Sequence, residues 1–267
     1  MSIRAIITTY ARRRPVLLLG LGLLMATATA SADLADTVAK IKPSIVAVGV
    51  FEPAGRPPAR FHATGFVVGQ GLHVVTNAHA LPDYLNPQNR ETLSIFINRN
   101  SKLESRPAQR VALDPIHDLA LLSFEGPPLP ALTLGPSRRP REGQEIAFTG
   151  FPLGVVLGLF PVTHSGIIAA ISPIAIPVPA AGQLDAITLK RLQSAPYDVL
   201  QLNATAYPGN SGSPLYEPQT GRVIGVINKV FVQESKETLL EKPSGITYAI
   251  PVEHVQALLR QVNSAVQ

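Results

Sequence analysis

Residues 62–80 read HATGFVVGQGLHVVTNAHA. His62–Val68 and His73–Thr76 are rich in β-branched and aromatic residues, and the turn-forming Gly69–Gln70–Gly71 lies between them. Two short strands so close together set the pattern for the chain. Further strands are expected at Ile45–Phe51, Thr92–Asn98, Val111–Leu113, Leu119–Phe124, Glu145–Thr149, Val162–Ile171, Val199–Asn203, Arg222–Val230 and Gly245–Ile250. The 25 prolines and 20 glycines punctuate the sequence too often for long helices. Only the ends read as helical. Asp33–Lys42 is expected to be a short helix with Asp33 as N-cap and Pro43 as its stop. Val252, Val255, Leu258, Leu259 and Val262 form one apolar stripe near the C-terminus. A dozen or so short strands with no alternation of strand and helix predicts an all-β barrel or sandwich.

Composition excludes several functions. With no cysteine among 267 residues, disulfide scaffolds, Cys-ligated metals and thiol nucleophiles are ruled out. The net charge of +5 suggests a polyanionic partner at first sight. Residues 1–32, however, hold Arg4, Arg12, Arg13 and Arg14 and no acid, so the rest of the chain carries 19 basic residues against 18 acidic ones. No nucleic-acid partner is expected, because no basic stripe or stacking motif accompanies the charge. A basic start, the apolar run Val16–Met25 and the small-residue stretch ATATASA have the layout of a secretory signal peptide, with cleavage after Ala30 or Ala32. The expected location is the periplasm or the exterior; the competing reading is an uncleaved membrane anchor.

Three segments carry chemistry: VVTNAHA at 74–80, DPIHDLALL at 114–122 and GNSGSP at 209–214. A serine hydroxyl becomes a useful nucleophile when an imidazole takes its proton. The imidazole in turn needs a carboxylate to hold its tautomer. His79, Asp118 and Ser211 supply these groups in the order His, Asp, Ser. That order differs from subtilisin-type and α/β-hydrolase sequences. Gly209 allows the chain to bend so that its own amide and that of Ser211 can face a developing oxyanion. His62, His73, His117, His164 and His254 show no metal-binding spacing, and neither metal nor cofactor is expected. His117 reads as a turn residue, and Asn203 and Tyr207 as loop packing that borders a pocket.

TNAHA, DLALL and GNSGSP resemble the signature segments of chymotrypsin/trypsin-like serine proteases, most nearly the bacterial HtrA/Deg-type branch. GFPLGVV, THSGIIAAI, VIGVINK and GITYAIPVEHV are similar to further parts of that branch, so the resemblance runs from about Ile45 to Leu259. It implies an all-β fold of two packed six-stranded antiparallel barrels with a C-terminal helix, the barrels dividing at about 130–145. It implies catalysis by His79, Asp118 and Ser211, with Gly209 and Ser211 as the oxyanion hole. One protease domain is expected over 33–267, without the PDZ domains usual in the branch.

The resemblance also sets expectations for specificity. Asn210 precedes the nucleophile where digestive relatives have an aspartate, so activation by an ion pair to a new N-terminus is not expected. Thr205, between Ala204 and Ala206, stands where the floor of the specificity pocket would lie. Its lack of charge predicts a small or medium apolar residue before the scissile bond. Substrate is expected to add a strand beside Val226, Ile227 and Asn228. The expected partners are polypeptides, with unfolded proteins as a candidate class, and a membrane only if the N-terminal segment stays attached. Residues 172–199 read either as a cover over the cleft or as a passive insertion. The rival function is a catalytically silent protease fold acting as a chaperone-like or peptide-binding module.

Overall fold

The computed structural model describes residues 33–99, 102–136, 140–152, 159–174, 196–228 and 246–265, and Ala32–Gln267 forms one compact unit. Residues 1–32, expected to be an export signal, residues 175–195 of the segment expected to be a cover or a passive insertion, and Lys229, Val230 and Gly245 at expected strand ends lie outside the described residues.

Among the described residues, two sets of six strands each close on themselves. The first holds β1 (Ile45–Phe51), β2 (Ala59–Val68), β3 (His73–Asn77), β4 (Thr92–Arg99), β5 (Lys102–Asp114) and β6 (Leu119–Phe124). The second holds β7 (Glu145–Gly150), β8 (Val162–Pro173), β9 (Asp198–Asn203), β10 (Pro214–Tyr216), β11 (Val223–Asn228) and β12 (Ile246–Pro251). Neighbour order is β1-β2-β3-β6-β5-β4 in one barrel and β7-β8-β9-β12-β11-β10 in the other, so the connectivity repeats.

A long strand closes each barrel by changing partners midway. β5 pairs with β4 as far as Pro107 and with β6 from Ala108. β8 pairs with β7 as far as Ile167 and with β9 from Ile168. Pro107, which has no amide hydrogen to donate, sits where the hand-over occurs and little ladder bonding is lost.

Alternation along the strands builds three cores. Ile45 and Ala47 of β1, Val75 of β3 and Leu119 and Leu121 of β6 join Tyr216, Val226 and Ile250 in a cluster shared by both barrels. Their sequence neighbours Val46, Val48, Val74 and Leu122 fill the first barrel, while Ile146, Phe148, Leu200 and Ile227 fill the second. Strands buried on both faces explain why IVAVGVF and LALLSF are nearly continuous apolar runs. The segment between the barrels touches both, since the Leu132 amide donates to the Val67 carbonyl at 2.8 Å and the Gly135 amide to that of Val223 at 2.7 Å.

Helix α1 (Leu34–Ile41) and helix α2 (Val252–Ala265) flank this core. The α2 stripe packs as its spacing predicts, with Val252, Val255 and Leu258 buried. α2 contacts β5 and β6 of the first barrel and β11 and β12 of the second.

α1 ends before Pro43 as expected, and the chain continues into a 3-10 turn, Lys42–Ser44, where the fixed φ of proline suits a first turn. Two expectations change. β5 begins nine residues before the expected Val111, at Lys102, because its polar first half, KLESRPAQ, is held by neighbouring strands rather than by its own propensity. β10, only three residues long, was too short to show a pattern.

Candidate active site

β3 ends at Asn77, and Ala78–Ala80 coil into one 3-10 turn that carries His79 out of the sheet. The His79 side chain is 34% exposed, whereas that of Asp118 is 2% exposed, so the imidazole meets solvent while its carboxylate partner does not. Asp118 closes the turn between β5 and β6, whose ends meet in the Asp114–Leu119 pair. Its φ is +52°, a left-handed conformation that aspartate tolerates better than most residues.

Every oxygen of Asp118 is used. Its backbone carbonyl accepts from the Ala78 amide and from Asn77 Nδ2, both at 3.0 Å. Oδ1 accepts from the His79 amide at 2.9 Å, while Oδ2 lies 2.6 Å from His79 Nδ1 and accepts from Asn228 Nδ2 at 2.9 Å. With the carboxylate as acceptor, Nδ1 is the donating nitrogen of His79, and in the neutral form of the ring Nε2 then bears the lone pair.

Ser211 follows a tight turn. The Asn210 amide donates to the Tyr207 carbonyl at 3.0 Å, Pro208 occupies the second position and Gly209 the third with φ +97°. That is the residue pattern of a type II turn. Gly212 follows with φ +84°, and its amide donates to the Ile227 carbonyl at 2.9 Å. Asn210 and Gly212 thus spend their amides internally, while those of Gly209 and Ser211 find no intramolecular acceptor among the described residues.

The serine loop of the second barrel is strapped to the first by Thr64 of β2. The Thr64 amide donates to the Ser211 carbonyl at 2.9 Å, and Oγ1 donates to the Gly209 carbonyl at 2.7 Å. The same Oγ1 accepts from the Phe151 amide at 3.0 Å, and Thr64 is fully buried. A Cβ at Gly212 would fall 2.0 Å from the Thr64 carbonyl oxygen, so only glycine permits this approach. Ser213 uses space left by Gly150, where a Cβ would lie 2.0 Å from Ser213 Oγ. Asn210 is buried and uncharged.

The residues expected to bind substrate are arranged less simply. Thr205 is half-buried beside Ala206, whose amide donates to Thr247 Oγ1 at 2.9 Å. Val226 and Ile227 lie inside the sheet, paired with Pro214 and Ser213 on one side and with Ile250 and Ala249 on the other. A substrate strand cannot pair with them, because both their edges are occupied. Asn228, 1% exposed, turns its amide to Asp118. The buried asparagine ending the apolar strand VIGVIN was the sequence signal for this role. Thr64 gave no comparable signal.

Among the described residues, no group of three or more histidines or acids could hold a metal ion. His117 and His254 nevertheless meet, with ring centroids 3.7 Å apart. His164 stacks on Phe148 at 4.9 Å, and burial lowers its pKa.

Two closed antiparallel barrels, with a buried carboxylate on an imidazole in one and a glycine-flanked serine turn in the other, define a chymotrypsin-like fold. Residues 63–226 match the family described as trypsin-like peptidase domain, and the chain belongs to that family. A probable periplasmic serine endoprotease DegP-like of Halomonas elongata is 29% identical over 190 residues, which is 71% of this chain and 32% of that protein. The mitochondrial serine protease HTRA2 of Bos taurus is 29% identical over 232 residues, 85% of this chain and 43% of that one. The chain therefore spans about a third to under half of the curated relatives it matches. Among solved structures, the HtrA-type protease AlgW with decapeptide aligns with a TM-score of 0.61 at 22% identity, covering 87% of this chain and 68% of that one. Deg5 aligns with a TM-score of 0.59 at 24% identity, covering 84% and 90%.

Proposed function

We propose that this chain is a serine endopeptidase in which Ser211 is the nucleophile, His79 the general base and acid, and Asp118 the orienting carboxylate. The observation that carries the reading is the Asp118 carboxylate, which receives both the amide and Nδ1 of His79 and so aims Nε2 away from itself. In the reaction, Ser211 Oγ attacks the scissile carbonyl carbon as His79 Nε2 takes its proton. The resulting oxyanion is held by the amides of Gly209 and Ser211, each worth about 3 kcal/mol in comparable sites. His79 then protonates the leaving amine, and a water molecule, deprotonated by the same imidazole, releases the acyl group.

Thr205, flanked by two alanines, favours a small or medium apolar side chain before the cleaved bond. Polypeptides, unfolded ones included, are the substrate class that fits the named relatives. The N-terminal layout and the periplasmic DegP-like relatives support export to the periplasm, with 33–267 as the mature protease domain.

The test is degradation of unfolded casein by the purified chain and by Ser211→Ala. The reading predicts fragments from the first and none from the second. Binding of casein without cleavage by both would refute it in favour of a peptide-binding module. In a peptide library, dominant cleavage after Arg or Lys would sink the specificity.

A further inference from the structure

His117 immediately precedes Asp118, and His254 lies in the first turns of α2. Their rings are stacked 3.7 Å apart at 20°. Tyr197, just before β9, closes the group edge-on, 4.6 Å from His117 and 5.3 Å from His254. Asp114 anchors the turn from inside. Its Oδ1 accepts from the amides of Ile116 and His117, both at 3.1 Å, and its Oδ2 lies 2.6 Å from His117 Nδ1.

Asp118 depends on this turn for its orientation. A positive φ at a residue with a Cβ persists only where the surroundings over-determine it. Asn77 and Ala78 fix the carbonyl side of Asp118, while the preceding residues are fixed by Asp114 and by the His254 ring. α2 spans both barrels, so the ring it presents is held by the rigid body of the protein rather than by the turn.

We propose that His254, stacked on His117 and backed by the Asp114 turn, is a positioning residue that keeps Asp118 aligned with His79. The proposal rests on the assignment of Ser211, His79 and Asp118 made above. The electrostatics agree with it. Burial, then the neighbouring His117, push the His254 pKa down to about 4 while Asp114 opposes them, so the stack meets no like charge at neutral pH. Burial pushes the Asp114 carboxyl up, but the His117 side chain and the turn amides hold it below its ordinary range. Asp114, His117 and Tyr197 face His254 from outside α2, and Glu253 is its neighbour within the helix.

His254→Leu keeps apolar volume in the site but removes the flat ring; His254→Phe restores a flat ring that cannot titrate. Both are compared with the wild-type chain on a fluorogenic peptide at pH 8, and the far-downfield proton signal between His79 and Asp118 is followed by NMR. A misplacement of the reacting groups by an ångström costs up to about 100-fold. His254→Leu is therefore expected to lose about 10- to 100-fold in kcat with KM held within about twofold, and to shift or broaden the downfield signal. His254→Phe is expected to recover both. Unchanged kcat in His254→Leu with an active wild type, a loss confined to KM, or a His254→Phe as impaired as His254→Leu overturns the positioning role alone. A wild type that neither cleaves peptide nor reacts with a fluorophosphonate overturns the serine-protease assignment instead, and the proposal with it.

Discussion

Replacing Asp118 by asparagine changes one atom's chemistry and leaves the volume nearly intact. The carboxylate accepts three bonds, from the His79 amide at 2.9 Å, His79 Nδ1 at 2.6 Å and Asn228 Nδ2 at 2.9 Å. An amide has a single acceptor oxygen. If that oxygen stays on the His79 amide, the new NH2 group faces two donors; if it flips, the NH2 faces the backbone N–H. At 2% exposure no bulk water relieves the conflict. The relief available is for His79 to move its proton to Nε2 and accept on Nδ1. In that tautomer Nε2 has no lone pair for the Ser211 proton. Wrong-tautomer triads lose about 10⁴-fold in turnover, or about 5.4 kcal/mol of transition-state stabilisation. The assay is steady-state cleavage of a fluorogenic peptide by the wild type, Asp118→Asn and His79→Ala. The expected result is a collapse of kcat with KM little changed. An Asp118→Asn variant within tenfold of the wild type, beside an inactive His79→Ala, would refute the tautomer argument.

Other outcomes follow from single contacts. Asn228→Ala removes one charge-assisted donor from Asp118, worth about 1.5–3 kcal/mol, so kcat should fall about 10- to 100-fold. Peptide profiling should show unchanged cleavage preference; altered preference would return Asn228 to substrate binding. Thr64→Val strips the hydroxyl that joins Gly209 to Phe151 and leaves buried groups unpaired, at about 1–3 kcal/mol. Its unfolding midpoint should drop by about 2–4 °C per kcal/mol, and no drop would contradict the strap. His254 has a folded pKa of about 4, below its ordinary value, so the unfolded chain binds the proton more tightly. Stability from this group is full above about pH 6.5 and is lost as pH falls toward 4. Thermal melts of His254→Phe should lack that part of the acid-side decline, and identical slopes in both proteins would contradict it.

The sequence disclosed the strands best where they are buried on both faces. IVAVGVF and LALLSF are nearly continuous apolar runs because alternate residues enter different cores. KLESRPAQ hid half of β5, since neighbouring strands rather than its own side chains make it extended. The repeated barrel connectivity left no trace in the sequence, because shared topology requires only similar burial, not similar residues.

In the candidate site, the short motifs pointed to the His79–Asp118 contact and to the glycine-flanked turn that carries Ser211. Thr64 was not legible, because its partner Gly209 lies 145 positions away and a threonine in a strand is unremarkable. The contact of Asn228 with Asp118 was not legible: strand alternation says which residues are buried, not what a buried polar group meets. His117 and His254 looked scattered because only the docking of α2 brings them together.

The central claim is that Ser211 is a nucleophile activated by His79. Treating the intact chain with a fluorophosphonate and mapping the adduct by peptide mass spectrometry tests it most directly. A single adduct on Ser211, absent from Ser211→Ala and strongly reduced in His79→Ala, is the predicted result. No adduct, an adduct on another residue, or equal labelling in His79→Ala would contradict it.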